Sequence, residues 1–529
     1  MLVQYFDKLS HQINAKNIER CQAALKTKEG VIGIATAVVL MSAVAYRRRA
    51  IKGNHGCPDV PNPSFFFGHT TEYREDPQAF IEKWAKQLGP VFRAHLFGKP
   101  TTVISGPYVR EIFLNNDFNF FKALDNVFDA RLLTNTCGED KLAVDDLRVI
   151  ITKHLTPKLK FYTDRVVQQI YKGIIDQTNQ LKAGESNVFY HVYPFVQHIV
   201  ARASASIFCG VELCENELLI DSFKNMVLEV GSELVPKPWL EPFPRLNRWR
   251  MWFIGKTSPN VKKHRKQLRE AMQPVVEERL RQKATNPNWV KPNDILQDIM
   301  DEFSCPPGID YTTYLVDWIT QLIFAALHTT SENCTVALYR ILDTPGLVDE
   351  LFEEQQQVLK QEGYSEDVGP EVFNRELLKN FVKLDSACRE AFRMRNDFIG
   401  LPHLYTGDKQ ITLSNGVLVQ PGEEVLINVW QNHKQNFSKN SNEDYSKYVP
   451  MRFLGQDKQA TKVSEEYLFF GLGRHACPGR WFALQEIMTI ISLLIREYKI
   501  SPVGEITFPK LDESRLPMGQ FKLERKVKL

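Results

Sequence analysis

The chain contains one cysteine whose neighbours suit a metal ligand. Cys477 lies in the run FGLGRHACPGR, residues 470–480, directly before a helix predicted over Arg480–Glu497. A ligating thiolate needs backbone N–H groups close to its sulfur, and Gly473 and Gly479 carry no Cβ that would obstruct this approach. The N-terminus of the following helix also turns the positive end of its dipole toward the sulfur. These residues predict that Cys477 binds a metal.

Two other interpretations of this cysteine stay open at the level of the local pattern. A free cysteine is most often a small buried hydrophobic residue. His475 and Cys477 could instead form half of a zinc site, but zinc needs two more ligands and no suitable pair stands nearby in the sequence.

A second segment whose residues could take part in chemistry lies upstream. An apolar helix is predicted over Leu315–Leu338, and its middle reads AALHTT, residues 325–330. The small side chains of Ala325 and Ala326 would let a flat group lie against the helix. The Thr329 hydroxyl can bond a carbonyl one turn back, which disturbs the helical ladder and leaves a groove for small molecules. Taken alone, the two threonines could equally be an inward-facing helical pair.

The two segments together resemble the cytochromes P450. The first is similar to the haem-ligand pattern Phe-x-x-Gly-x-x-x-Cys-x-Gly, and the second to the oxygen-binding pattern Ala/Gly-Gly-x-acid-Thr-Thr. The resemblance implies haem b as the cofactor, Cys477 as the axial ligand of its iron, and O2 as a co-substrate. The further cofactor contacts that it implies are Phe470, Gly473, Gly479, Ala325 and Ala326.

The oxygen-binding segment departs from the family pattern. His328 stands where an acid is usual, and Ala326 stands where glycine is usual. Histidine can also relay protons near neutral pH, so the resemblance implies Thr329 as the proton-delivery hydroxyl, with His328 and Thr330 beside it. The AALHTT and GRHACPGR strings resemble fungal members of the ent-kaurene-oxidase type, which implies a fungal enzyme that hydroxylates steroids or terpenoids.

Three charged residues add to the resemblance. Glu390 and Arg393 are spaced so that a helix would place them on one face, where they can pair. Such pairs are common on solvated helices, but the downstream segment Pro450-Met451-Arg452-Phe453 resembles the Pro-x-Arg-Phe motif of the family. The resemblance implies a structural cluster of Glu390, Arg393 and Arg452, in which guanidinium groups hold the carboxylate and support the ligand loop.

The carboxylates of a haem need cationic or hydrogen-bonding partners. By position in the resemblance, His475 is the first candidate and Arg474 the second. Arg148, on a helix-like run, is a third. The arginine that is usual after the Glu-x-x-Arg helix is absent; His403 or Tyr405 could replace it, although we favour solvated loop residues at these two positions.

Composition and charge limit the remaining possibilities. The 529 residues include 43% hydrophobic and 24% charged side chains, which is typical of a globular protein. A net charge of +3 gives no reason to expect nucleic-acid binding. Nine scattered cysteines do not resemble a disulfide framework and fit a reducing compartment. No repeat or low-complexity linker divides residues 58–529, so we predict one catalytic domain over 64–529.

The N-terminal region predicts a membrane anchor. Residues 31–46 carry no charge and are followed by three arginines. A bilayer span takes about 20 apolar residues, so this run is short, but the positive-inside rule places the arginines in the cytosol. A late signal peptide and an interfacial helix are the alternatives. We predict a lumenal segment over 1–30, a single transmembrane anchor over 31–46 and a basic, proline-rich hinge over 47–63, with the catalytic domain facing the cytosol at the endoplasmic reticulum membrane.

Helical periodicity dominates the rest of the chain. The predicted fold is therefore mainly α with a small β region, the cytochrome P450 fold, preceded by an N-terminal transmembrane helix. Further predicted helices are Pro77–Leu88, Pro107–Asn115, Pro157–Leu181, Val188–Phe208, Ser258–Lys283, Pro345–Glu362 and Leu377–Met394. Predicted strands are Val91–His95, Thr101–Ile104, Gln410–Leu413 and Glu424–Asn428.

The resemblance implies a microsomal monooxygenase of the class II type. Electrons would come from NADPH through a separate NADPH–cytochrome P450 reductase, with cytochrome b5 as a second donor, because the chain has no Gly-rich dinucleotide fingerprint. A lipophilic substrate would bind between walls formed by residues 118–137, 227–254, the centre of the long helix and 517–519. The alternatives are a P450-fold isomerase or dehydratase that needs no O2, and a non-enzymatic haem or lipid carrier.

Overall fold

The computed structural model describes residues 56–64, 67–124, 144–235, 237–240, 243–365, 368–395, 398–434, 444–509 and 515–527. The predicted lumenal segment, the anchor and the first part of the hinge lie outside these ranges. No helix within them combines the length and the hydropathy that crossing a bilayer requires.

Helices make up most of the described chain. They are α1 (Thr70–Glu75), α2 (Pro77–Leu88), α3 (Val109–Leu114), α4 (Phe120–Leu124), α5 (Val144–Ile150), α6 (Leu159–Gln177), α7 (Val192–Phe208), α8 (Glu217–Leu234), α9 (Pro244–Thr257), α10 (Pro259–Thr285), α11 (Ile295–Glu302), α12 (Tyr311–Asp343), α13 (Leu347–Gln361), α14 (Arg375–Leu378), α15 (Val382–Met394), α16 (Val429–Lys434) and α17 (Arg480–Glu497). Short 3₁₀ turns span Gly106–Tyr108, Pro238–Leu240, Pro370–Val372 and Gly473–His475, and a π-helical turn spans Ile151–Leu155.

The strands form three small sheets. They are β1 (Val91–Leu96), β2 (Lys99–Ile104), β3 (Phe118–Asn119), β4 (Ser186–Phe189), β5 (Ile399–Tyr405), β6 (Ile411–Thr412), β7 (Leu418–Val419), β8 (Glu424–Asn428), β9 (Tyr498–Thr507) and β10 (Met518–Arg525). The largest sheet has the order β1-β2-β8-β5-β3, with β2 and β8 parallel and the other neighbours antiparallel. A second sheet has the order β4-β10-β9, and β6 pairs with β7.

The prediction of a mainly helical fold with a small sheet region is confirmed, and several boundaries agree with it. The helices α2 and α17 have the predicted bounds. The helix predicted over Leu377–Met394 is instead divided into α14 and α15, because the chain turns at Phe381, which is fully buried. The β9–β10 hairpin and the helices α8 and α9 were not predicted. A run of exposed residues interrupts the alternation of buried and exposed positions in β9. The segment that connects β9 to β10 is also long.

The long helix α12 runs through the centre of the molecule and positions the middle of the AALHTT segment. It begins after Asp310, whose carboxylate accepts a hydrogen bond from the Thr313 N–H at 2.9 Å. It packs against α7, α10, α15 and α17, and Trp318 is fully buried among these helices. Because neighbours surround α12 over most of its length, the direction in which each of its side chains points is fixed by tertiary packing.

Candidate functional site

A cavity of about 390 Å³ lies between the middle of α12 and the loop that carries Cys477. Its walls are largely apolar, and several predicted site residues meet there although they are far apart in the sequence. The predicted residues that line it are Cys477, Phe470, Gly479, His475, Arg148, Ala325, Ala326, Thr329 and Thr330. His328, Arg474 and Gly473 are not among the lining residues.

The loop before α17 holds Cys477 at the cavity wall. The Cys477 N–H donates to the Phe470 carbonyl at 2.8 Å, which closes the loop behind the half-buried side chain. Burial raises the pKa of the Cys477 thiol, while hydrogen bonds from the backbone N–H groups of Gly479 and Arg480 act in the opposite direction. Because two amides are directed at the sulfur, this loop suits a thiolate, the form of cysteine that binds a metal.

The two glycines of the ligand loop differ in their function. Gly473 has a φ of +62°, and a Cβ there would come within 2.5 Å of the Phe113 carbonyl, so it allows the loop to pack on α3. Gly479 has an ordinary φ of −85°, and a Cβ there would meet no protein atom within 4 Å. The space beside Gly479 is therefore part of the cavity, not of the protein packing, which fits a flat prosthetic group lying over Cys477.

On the opposite wall, α12 presents small and polar side chains to the same cavity. The Thr329 Oγ1 donates to the Ala325 carbonyl at 3.0 Å and lies 3.4 Å from the carbonyl of Ala326. Ala325 and Thr329 are exposed in the middle of an otherwise buried helix, because the cavity borders them. Thr330 touches the cavity but is only 3% exposed. This is the groove that the sequence predicted.

His328 points away from the cavity, contrary to the expectation that it lies beside Thr329. Its Nδ1 lies 2.8 Å from the Tyr193 hydroxyl on α7, and its Nε2 lies 2.9 Å from Glu332 Oε1. Gln197 donates to the same tyrosine oxygen at 3.1 Å. Successive residues of a helix point about 100° apart, so the neighbour of a groove residue faces another element.

Asn333, in contrast to His328, is a polar side chain that does border the groove. Its Nδ2 donates to the Thr329 carbonyl at 2.7 Å, and its Oδ1 accepts from Arg395 Nη1 at 2.6 Å. Arg395 also donates to Glu332 at 2.5 Å, which joins this contact to the His328 pair. Asn333 was not predicted from the sequence, although its spacing of four residues from Thr329 places it on the same helix face.

The Glu390 cluster forms as the resemblance implied. Arg393 makes two hydrogen bonds of 2.7 Å to the carboxylate, and Arg452 Nε donates to it at 2.9 Å. The Val449 N–H donates to the same group at 3.1 Å. All three charged side chains are buried, so this group fixes α15 to the segment that precedes the ligand loop.

The three candidates for binding the haem carboxylates lie in different places. His475 lines the cavity, and its Nε2 accepts from Arg474 Nε at 3.0 Å. The Arg474 guanidinium instead bonds the carbonyls of Asn116 and Phe118, so it orients His475 and does not reach the lining. Arg148 on α5 lines the cavity and is half-buried.

The expectation of a solvated loop at His403 is wrong. His403 lies on β5, has no exposed surface and lines the cavity. The sequence pointed to His403 only as the less favoured possibility, because a strand in the middle of a sheet was not predicted there. Tyr405 ends the same strand and is buried against Phe118, with ring centroids 5.1 Å apart.

The predicted substrate walls are only partly found at the cavity. Phe120 and Phe121 line it, as does the centre of α12. No described residue of the ranges 227–254 and 517–519 is among the lining residues. Among the described residues, no three His, Cys, Asp or Glu side chains converge to hold a metal ion, so the zinc alternative has no ligand set there.

The fold and the site together define a class of protein. One cysteine, with amides directed at its sulfur, faces a threonine-bearing helix across an apolar slot, and this donor set fits a haem bound through a thiolate. A family model described as Cytochrome P450 matches residues 58–526, and the chain belongs to that family.

Three curated relatives are each named as a cytochrome P450 monooxygenase. Cytochrome P450 monooxygenase 151 of Postia placenta is 25% identical over 427 residues, which cover 78% of this chain and 80% of that protein. Cytochrome P450 monooxygenase 103 of the same fungus is 24% identical and covers 88% and 92% of the two chains. Cytochrome P450 monooxygenase hepE of Aspergillus oryzae is 27% identical and covers 75% and 71%. The chain is accordingly a monooxygenase of the P450 family with fungal relatives.

Proposed function

We propose that this monooxygenase hydroxylates a lipophilic small molecule, with a steroid or terpenoid favoured, using O2 and electrons from NADPH delivered by a separate reductase. The observation that carries the proposal is the position of Cys477 opposite Thr329 across one apolar cavity. Haem bound there would supply the activation of O2 and the hydroxylation of a C–H bond.

The residues around the cavity would each have a limited task. The Cys477 thiolate would hold the iron, and Ala325 would leave room beside α12 for a flat ring. Because Thr329 Oγ1 donates its own hydrogen to the Ala325 carbonyl, its lone pairs are left to accept a hydrogen bond from water in the groove. Thr329 therefore orients a proton-carrying water, while Asn333 holds the backbone of Thr329 in place.

The cavity walls support a lipophilic substrate. Phe113, Phe120, Phe121, Leu322 and Leu401 line the cavity, and an apolar pocket with a few polar groups binds a ligand chiefly by removing its hydrocarbon surface from water. The preference for a steroid or terpenoid rests on the similarity of the AALHTT and GRHACPGR strings to fungal ent-kaurene-oxidase-like enzymes.

We place the catalytic domain, residues 64–529, on the cytosolic side of the endoplasmic reticulum membrane, held by residues 31–46 after a lumenal segment 1–30. Trp249, Trp252 and Phe253 on α9 are about half exposed and would enter the headgroup region of the same membrane. Sedimentation of the full chain with membranes after carbonate washing tests the anchor. Release into the supernatant would contradict it.

The haem assignment is tested by the absorption spectrum of the reduced, CO-bound protein. The wild type should show the red-shifted band of a thiolate-ligated haem, and Cys477→Ala should lose it. Cys305→Ser is the matched control, because Cys305 is also partly exposed but lies outside the cavity lining. A band that persists in Cys477→Ala would overturn the ligand assignment.

The activity is tested separately by oxygen uptake with NADPH and a cytochrome P450 reductase. Substrate-stimulated uptake with a hydroxylated product is expected. Product formation without oxygen uptake would favour the isomerase or dehydratase alternative. A normal spectrum of the reduced, CO-bound protein, with neither product nor oxygen uptake, would favour the haem or lipid carrier.

A further inference from the structure

Arg395 connects the end of α15 to the middle of the long helix α12. It is the residue that caps the C-terminus of α15, and its guanidinium contacts two consecutive residues of α12. Its Nη1 donates to Asn333 Oδ1 at 2.6 Å, and its Nη2 lies 2.5 Å from Glu332 Oε2. Because the Glu332 carboxylate neutralises the guanidinium, Arg395 acts on Asn333 chiefly through the direction of this hydrogen bond.

This contact determines the orientation of the Asn333 amide. A guanidinium can only donate, so the amide atom beside Arg395 must be the oxygen. The amide nitrogen then lies 2.7 Å from the Thr329 carbonyl, which can only accept, so both contacts require the same orientation. A rotated amide would place two donors together at Arg395 and two acceptors together at Thr329. Of the two contacts, the one with Arg395 is the stronger, because its donor is charged.

The oriented amide offers a hydrogen to the groove. An amide nitrogen carries two hydrogens, and Asn333 uses one of them for the Thr329 carbonyl. No second acceptor for this nitrogen lies among the residues that the structure describes. Asn333 and Thr329 both line the cavity, and residues four apart are neighbours on one helix face. The groove therefore presents an N–H donor beside the Thr329 hydroxyl, which donates to the Ala325 carbonyl and can accept from water.

The orientation of the amide decides where a water between these two groups points its hydrogens. In the observed orientation, the water accepts from Asn333 Nδ2 and donates one hydrogen to Thr329 Oγ1, so its second hydrogen is directed into the cavity. With the amide rotated, the water would donate to both Asn333 Oδ1 and Thr329 Oγ1. Both hydrogens would then be held by the protein, and none would be left for a reacting group.

We propose that Arg395 is a positioning residue for proton delivery, which holds the Asn333 amide so that the groove water keeps one hydrogen directed into the cavity. The inference rests on the proposed function, which gives this water its task. No covalent bond changes at Arg395 or Asn333, since the two side chains only set the direction in which the water donates. The competing explanation is a purely structural contact between α15 and α12, which would affect stability but not the use of protons.

The first test is a double-mutant cycle on the full-length holoprotein, in which the CO band confirms that each variant holds haem. It measures the fraction of consumed NADPH that is recovered as hydroxylated product in the wild type, Arg395→Met, Asn333→Ala and the double variant. We expect Arg395→Met to lower this fraction about fivefold, the factor that corresponds to one ordinary hydrogen bond. In the Asn333→Ala background the same substitution should have no further effect, because Arg395 acts through that amide.

Arg202→Met is the matched control for the loss of a tertiary contact. The side chains of Arg202 and Arg395 are each 14% exposed. Arg202 is held by Asp176 and Glu215, outside the cavity lining. Its replacement should lower stability and leave the product fraction at the wild-type value.

Three further variants keep the test decisive if Arg395→Met does not fold. Arg395→Lys can only donate, so it should keep the product fraction near that of the wild type. Arg395→Gln can donate or accept, so it permits both amide orientations and should lower the fraction. Asn333→Asp keeps an acceptor for Arg395 but has no hydrogen to give to water, so it should lower the fraction at least as far as Arg395→Met does.

A crystal structure of the substrate-free holoprotein gives a readout that does not depend on turnover. We expect an ordered water within hydrogen-bond distance of both Asn333 Nδ2 and Thr329 Oγ1 in the wild type, and its loss or displacement in Asn333→Asp. The proposal is overturned by the absence of this water, by an unchanged product fraction in Asn333→Asp, or by additive effects of Arg395→Met and Asn333→Ala. A wild type that holds the water but shows neither oxygen uptake nor product would indicate failure of the proposed function instead.

Discussion

His328 Nε2 lies 2.9 Å from Glu332 Oε1, one turn further along the same helix. The Tyr193 hydroxyl lies 2.8 Å from the other ring nitrogen, so the imidazole is fixed between α7 and α12. The position where the family usually has an acid thus holds a histidine with an acidic partner of its own. Because this pair faces away from the cavity, it supports the helix, whereas Thr329 and Asn333 border the groove.

The first prediction concerns the charge of Glu332. Burial acts to raise the pKa of Glu332, but hydrogen bonds and charge from His328 and Arg395 outweigh it and leave that pKa below its usual range. A lowered pKa stabilises the fold above the unfolded-state value and loses this effect as pH falls through the folded-state value. Glu332→Gln should therefore lower the free energy of unfolding by about 2 kcal/mol at pH 7 and by less at pH 3, where protonation of the carboxylate weakens these interactions.

Denaturant unfolding of the holoprotein at both pH values measures this difference. Tyr193→Phe is the control, because it removes a hydrogen bond to His328 but no carboxylate, so its effect should not depend on acid pH. An equal loss at both pH values in Glu332→Gln would contradict the assignment.

The second prediction concerns the Thr329 hydroxyl. Thr329→Ala should lower the fraction of NADPH that yields hydroxylated product by about tenfold and raise peroxide formation, because the ordered water loses its acceptor. Thr335→Val is the matched control: Thr335 Oγ1 also donates one turn back, to the Ser331 carbonyl at 2.7 Å, but it is buried outside the cavity lining. Equal coupling in wild type and Thr329→Ala would rule out the role.

The third prediction concerns the buried Glu390 cluster. Glu390→Gln leaves the guanidinium groups of Arg393 and Arg452 buried without their counter-charge, so we expect a loss of about 3–5 kcal/mol in stability, together with loss of haem. Glu376→Gln breaks a pair of the same i,i+3 spacing, with Lys379, but that pair is exposed and its loss should be undetectable. Comparable thermal stability of the two variants would show that the cluster is not structural.

The fourth prediction concerns Glu486 on α17, whose carboxyl accepts from Ser204 Oγ at 2.9 Å. Burial raises the pKa of Glu486 to about 8. A raised pKa gives stability that is complete below the unfolded-state value and is lost as pH rises toward the folded-state value. Glu486→Gln should therefore stabilise the protein by roughly 2–4 kcal/mol at pH 8 relative to its effect at pH 4.

Unfolding at pH 4 and pH 8 measures this gain. Glu497→Gln is the contrasting control at the end of the same helix, since it breaks an ion pair with Arg525 of 2.6 Å and should destabilise the protein at pH 8. An effect of Glu486→Gln on stability that is no more favourable at pH 8 than at pH 4 would contradict the prediction.

Local patterns were sufficient for the family and for the groove. The spacing around Cys477 depends on neighbours in the chain, and so does the hydrogen bond from Thr329 to the carbonyl one turn back, so both could be read from the sequence. Helix α2 was also predictable, because Asp76 caps it and Pro77 begins it.

The remaining features depended on contacts between distant segments. The residue type at position 328 does not determine which neighbouring helix the side chain faces. The packing of α7 against α12 places the Tyr193 hydroxyl beside the His328 ring. His403 resembled a loop residue until the pairing of β5 with β8 buried it beside the cavity. The sequence by itself determined which residues could do the chemistry, because that depends on residue types and local spacing. The tertiary structure decided which of them face the cavity, because the direction of a side chain is set by the elements packed around it.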